Sequence, residues 1–134
     1  MKVTAHHDRP NSIVVYHTSF AEYGNIGIRT IFRDVSSGVD PEAFAEIAFM
    51  LTNHPEPPAF SEEKVGRCYS LSVGDVVVVN DQEGKSFPFL CAPSGWKDLG
   101  NEEYLESLFR RWSLAVCKDE NASHGRYWRD LAEA

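Results

Sequence analysis

A mixed α+β domain is what the sequence predicts, with a small, mainly antiparallel sheet packed by two long helices and a short C-terminal helix. Three observations lead there. The β-branched runs at residues 12–17 and 76–79 have the composition of buried strands. Two stretches, opening at Asp40-Pro41 and at Gly100-Asn101, place apolar residues at helical spacing behind capping residues. Between Val73 and Cys91, turn chemistry at Gly74-Asp75 and at residues 80–84 joins short apolar segments, which is the pattern of a hairpin.

Taken in order, residues 1–11 are polar, end in Arg9-Pro10-Asn11 and read as an irregular lead-in to one domain over residues 12–134. Residues 12–17 form a buried first strand. Polar residues and two glycines over 18–27 favour a loop or helical turn, and residues 28–32 a second strand. Asp40 can accept from the free amides of a first helical turn, Pro41 occupies a position that needs no donor, and Glu42 suits the positive end of the dipole. Phe44, Ile47, Ala48 and Leu51 make the apolar stripe of that helix, which Phe49 and Met50 widen to more than half its circumference. It stops near Asn53, because His54-Pro55-Glu56-Pro57-Pro58 cannot continue it.

Residues 54–64 then read as a solvated connection, in which Pro57-Pro58-Ala59-Phe60 is an extended contact segment. Residues 70–73 alternate like a half-exposed strand. The four valines 76–79 read as a strand covered on both faces. Pro88 lacks a ladder donor, so the strand over 86–91 is expected at an edge, where it offers a route to dimerisation. Asn101 caps the second helix, whose stripe is Leu105, Leu108, Phe109, Trp112 and Val116. Residues 121–124 break the pattern, and a final helix over about 125–133 offers Tyr127, Trp128 and Leu131.

Composition excludes several function classes. Twenty acidic against 13 basic residues give a net charge of −7, which disfavours a protein that binds nucleic acid by neutralising phosphates. The basic residues Arg110, Arg111, Lys118, Arg126 and Arg129 are interleaved with acids and read as a solvated face. No apolar run approaches the roughly 18 residues that span a bilayer, and the first residues lack a secretory signal. Cys68, Cys91 and Cys117 are odd in number and widely spaced, so they read as separate thiols of a cytoplasmic protein. His6-His7-Asp8 supplies no fixed third ligand, and Gly24-Asn25-Ile26-Gly27 joins no strand to a helix as a phosphate cradle does. No cofactor and no metal are expected.

Two segments carry candidate chemistry. Ser70, Ser72 and Asp75 gather two hydroxyls and a carboxylate around a turn, suited either to capping local amides or to a partner's backbone. Trp96, behind the Pro93-Ser94-Gly95 turn, is either folded over the sheet or an interface anchor. The stretch from Gly66-Arg67 through Ser70-Leu71-Ser72-Val73-Gly74-Asp75 to the valine run resembles the central motif of YodL-like domains of bacterial mobile-element and plasmid-associated proteins. His54-Pro55 upstream and Gly95-Trp96-Lys97-Asp98-Leu99 downstream fit the same pattern, so the resemblance covers about residues 44–99. Two features depart from it: a longer link from His54-Pro55 to Ser70, and Cys68-Tyr69 between Gly66-Arg67 and the serines.

That resemblance implies genomic company and a local fold more than a reaction. The expected function is therefore that of a non-enzymatic accessory protein of a mobile element, acting by contact with another protein. One version is inhibition of a host defence nuclease. The expected contact residues are Arg67, Ser70, Ser72, Asp75 and Trp96, with no membrane and no sequence-specific nucleic acid as partner. The alternative rests on His17-Thr18-Ser19, which resembles the opening motif of some ADP-ribosyltransferases and implies an enzyme that uses NAD. Such an enzyme also needs a later catalytic glutamate in a strand, and none is assigned: Glu83 is expected in a hairpin turn and Glu62-Glu63 in a loop.

Overall fold

Valine-rich strands that are apolar on both sides need cover on both sides, and the chain supplies it with helices. The computed structural model describes residues 9–22, 25–56, 58–118 and 124–134. It shows a six-stranded sheet in the order β3-β2-β1-β4-β5-β6, with every neighbouring pair antiparallel. The strands are β1 (Ser12–Glu22), β2 (Asn25–Phe32), β3 (Ser61–Val65), β4 (Val76–Asn80), β5 (Ser86–Ala92) and β6 (Gly95–Asp98). The helices are α1 (Pro41–Asn53), α2 (Glu102–Lys118) and α3 (Arg126–Glu133). The α+β architecture is thus as the sequence predicts.

The central pair β1–β4 is in register from Ser12 opposite Asn80 to Tyr16 opposite Val76. Alternation then sorts the side chains by face. Ile13, Val15, Val77 and Val79 join Phe44, Ala45 and Ala48 of α1 on one side. Val14, Tyr16, Val76 and Val78 join Leu105, Leu108, Phe109 and Trp112 of α2 and Trp128 of α3 on the other. Phe109 stands 5.6 Å from the Tyr16 ring and 5.1 Å from that of Trp128, so one aromatic cluster ties both helices to the sheet.

Both helix starts are made as their residues dictate. Asp40 Oδ1 accepts from the Glu42 amide at 3.1 Å, and Asn101 Oδ1 accepts from that of Tyr104 at 2.9 Å. Helix α1 buries a narrower stripe than its composition suggests. Met50 is 61% exposed, because one sheet face covers only the Phe44, Ala45 and Ala48 side.

Four local expectations are corrected. Residues 18–22 and 25–27 extend the first hairpin instead of forming a loop, since the polar side chains of Thr18 and Ser19 find partners elsewhere in the fold. The solvated connection contains β3, held to β2 by backbone pairing although its side chains are mostly exposed. Residues 70–73 form no strand: the chain is irregular to Ser72 and then turns at Val73-Gly74, closed by the Asp75 amide donating to the Ser72 carbonyl at 2.9 Å. Strand β5 is internal. Pro88 faces Val78, and its carbonyl accepts from the Leu99 amide at 3.0 Å, so its missing donor points to the side where β6 has ended. Among the described residues the sheet therefore ends at β6 there and at β3 on the far side.

Leu90→Ala, which empties a fully buried position between strand and helix, is expected to cost about 2–5 kcal/mol in urea unfolding. Met50→Ala is expected to stay within about 0.5 kcal/mol in the same assay.

Candidate functional site

The register that sets Tyr16 opposite Val76 carries His17 opposite Asp75, at the end of the sheet where β4 begins. Both are buried, and a buried carboxylate must collect donors to offset its lost hydration. Asp75 collects them from three segments. Its Oδ1 accepts from the Ser19 amide at 3.0 Å and the Ser19 hydroxyl at 2.6 Å. Its Oδ2 accepts from the Ser72 amide at 2.9 Å and faces His17 Nδ1 at 3.3 Å. A carboxylate only accepts, so Nδ1 is the nitrogen that carries the proton. His17 Nε2 is buried and finds no partner among the described residues.

This cluster is closed from above. The Tyr69 ring meets that of His17 edge-on at 6.5 Å. A Cβ at Gly125 would lie 2.0 Å from the Ser19 carbonyl oxygen, so the start of α3 rests directly on β1. The Thr18 hydroxyl donates to the Gly74 carbonyl. His17, Thr18 and Ser19 are at most 2% exposed, and every polar side-chain atom among them except His17 Nε2 is used inside the chain.

The five expected contact residues are therefore not one surface. Asp75 is internal. Ser72 is half-buried, with its hydroxyl donating to the Ser70 carbonyl at 3.0 Å, while Ser70 itself is exposed. Arg67 is exposed, with its guanidinium 5.3 Å from the centre of the Tyr69 ring. Trp96 lies apart on the β6 edge, where its indole donates to Glu46 of α1 at 3.0 Å and lines a shallow recess of about 170 Å³ with Phe49 and Cys91. A larger open groove of about 390 Å³ lies between residues 35–41 and the β4–β5 turn, and none of the five lines it.

Three residues that sequence reasoning passed over complete the picture. Phe20 is 49% exposed and packs on Tyr69 at 5.1 Å between ring centres, and Val65, which ends β3, is 55% exposed. Phe20 lies near the end of β1, beyond the segment that reads as a strand in the sequence, and only the fold reveals that it emerges beside Tyr69. The loop carrying Arg67 is fixed against the hairpin: a Cβ at Gly27 would lie 1.8 Å from the Arg67 carbonyl oxygen.

Among the described residues no group of three His, Cys, Asp or Glu could hold a metal ion, and no helix is long and apolar enough to cross a membrane. His6-His7-Asp8 and Gly24 lie outside the described residues. Comparison of the chain with protein-family models, curated proteins and solved structures finds no significant match.

Asp75→Ala, which strips the acceptor from Ser19, Ser72 and His17 together, is expected to cost about 3–5 kcal/mol in urea unfolding. Alkali supplies a second test. Burial, with the negative charges of Asp75 and Glu46 adding to it, pushes the Cys91 thiol from 9.0 up to about 12. The fold thus favours the neutral thiol. Its contribution is complete below about pH 9 and is lost as pH rises toward about 12. Cys91→Ser is expected to flatten that alkaline loss, and on the folded protein exposed Cys117 should react with a disulfide reagent well before Cys91.

Proposed function

We propose that the protein is a small binding protein that acts by contact with another protein through the sheet end at Phe20, Tyr69 and Arg67. The observation that carries this reading is the exposed Phe20 ring packed on Tyr69, with the Arg67 guanidinium stacked on that tyrosine. Aromatic residues with an adjacent arginine are the side chains that most often anchor protein interfaces. Here Tyr69 rests against the buried His17 ring and supports both Phe20 and Arg67, so little freedom is lost on binding. The groups best suited to chemistry, His17, Ser19 and Asp75, are by contrast engaged with one another in the interior.

The resemblance to YodL-like domains extends the reading to an accessory protein of a bacterial mobile element. A net charge of −7 suits a target with a basic face, of which a defence nuclease is one example.

The test is co-purification of tagged protein from its native host at low and high salt, with wild type and a Phe20→Ser, Tyr69→Ser double variant in parallel. A specific partner bound by the wild type and weakened on the order of tenfold or more in the variant is expected. Recovery only as a free monomer at every salt concentration would overturn the reading. So would saturable calorimetric binding of NAD, which belongs to the enzyme built on His17-Thr18-Ser19.

A further inference from the structure

The sheet has an open margin beside that surface. Strand β3 is last in the strand order, among the described residues it pairs only with β2, and Ser61, Glu63, Lys64 and Val65 are all exposed. Its outer backbone groups form a template on which an extended segment can be added as a further strand. Resting on the proposed binding role, we infer that β3 accepts an extended segment of a different protein, one that sets an apolar residue beside Val65 and a carboxylate against Arg67.

Two observations select that occupant over a second copy of this chain. Antiparallel self-pairing about a two-fold axis places one residue opposite itself. Within β3 the central registers would face Glu62 with Glu62, Glu63 with Glu63 or Lys64 with Lys64, and like charges directly opposite are destabilising. Pairing does not extend past Val65, because Gly66 at φ 72° turns the chain out of the strand, and residues 58–60 before Ser61 are not in a strand. Arg67, in turn, asks for an anion. Its guanidinium is set in place by the Tyr69 ring and has no carboxylate partner among the described residues, whereas Glu63 is paired with Arg9 at 3.3 Å and Glu62 with Arg29 and Lys64 at 3.5 Å. Among the described residues a positive group is thus left without a carboxylate on a protein of net charge −7. A partner that is basic overall is compatible with a carboxylate at this point, since the long-range field sets the encounter rate and the local pair sets the register.

The experiment selects a random phage-displayed peptide library on the full chain, then titrates the synthetic winners while following backbone amide NMR signals. Selected peptides are expected to share an acidic residue at a fixed spacing from an apolar one and to shift signals over residues 61–67. Arg67→Glu is expected to weaken them on the order of tenfold, and exchanging the peptide's acidic residue for lysine should restore binding to that variant alone. Neighbouring residues of β3 point their amides alternately toward β2 and away from it, so one of Glu63→Pro and Lys64→Pro leaves the ladder intact. The variant that folds should abolish binding.

Shifts confined to other segments, indifference to Arg67→Glu, or a dimer that the proline variant dissolves would each overturn the inference. Protection of the outer β3 amides that disappears on deleting residues 1–8 would do so as well, because the chain would then fill its own edge. A native partner that needs Phe20 and Tyr69 yet ignores both Arg67→Glu and the proline variant would remove this inference and leave the binding role standing.

Discussion

Burying the carboxylate of Asp75 at the end of the central strand pair is the constraint from which the architecture of this end of the molecule follows. A charge-bearing group placed there without donors would carry a desolvation penalty larger than most single contacts can offset. The chain meets it with the Ser19 amide and hydroxyl, the Ser72 amide and the His17 ring, drawn from β1 and from the turn before β4. Meeting that demand fixes where the segment over residues 66–72 must run. Once Ser72 is tied to Asp75 and the Arg67 carbonyl lies against Gly27, Tyr69 comes to rest against His17, with Phe20 and Arg67 also packed on its ring.

The polar interior and the exposed aromatic surface are therefore two sides of one arrangement. Donors close at hand let Asp75 remain inside, and the turn that supplies them presents Tyr69 outward. The same segment leads out of β3, so the open sheet margin and the aromatic pair are joined by only Gly66, Arg67 and Cys68. The exposed groups here share one support, since Phe20 and Arg67 both pack on half-buried Tyr69, which in turn meets the buried His17 ring.

The remainder of the molecule is a scaffold for that end. The sheet is apolar on both faces at its centre, and α1 on one side and α2 with α3 on the other exclude water from the valine run. Its two margins differ. At β6, Trp96 is tied to Glu46 and the Lys97 ammonium donates to the carbonyls of Leu131 and Ala134 at the end of α3, which draws that margin into the body. At β3 the side chains are mostly exposed and charged, which discourages pairing with copies of the same chain.

By itself the sequence determined whatever depends on neighbours a few residues away. The Asp40 and Asn101 caps, the helical stripes of Phe44 and Leu105, the glycine and asparagine turns and the two-sided burial of Val76 to Val79 were all legible, because capping and periodicity are local properties. The tertiary structure alone decided which strands are neighbours. Nothing in Ser-Glu-Glu-Lys-Val marks a strand until β2 lies beside it, and Pro88 marks an edge until β6 closes over part of β5. Likewise Ser70, Ser72 and Asp75 look alike in the chain. Register across 58 residues of sequence, by bringing His17 to Asp75, turned one of them inward and left another in water.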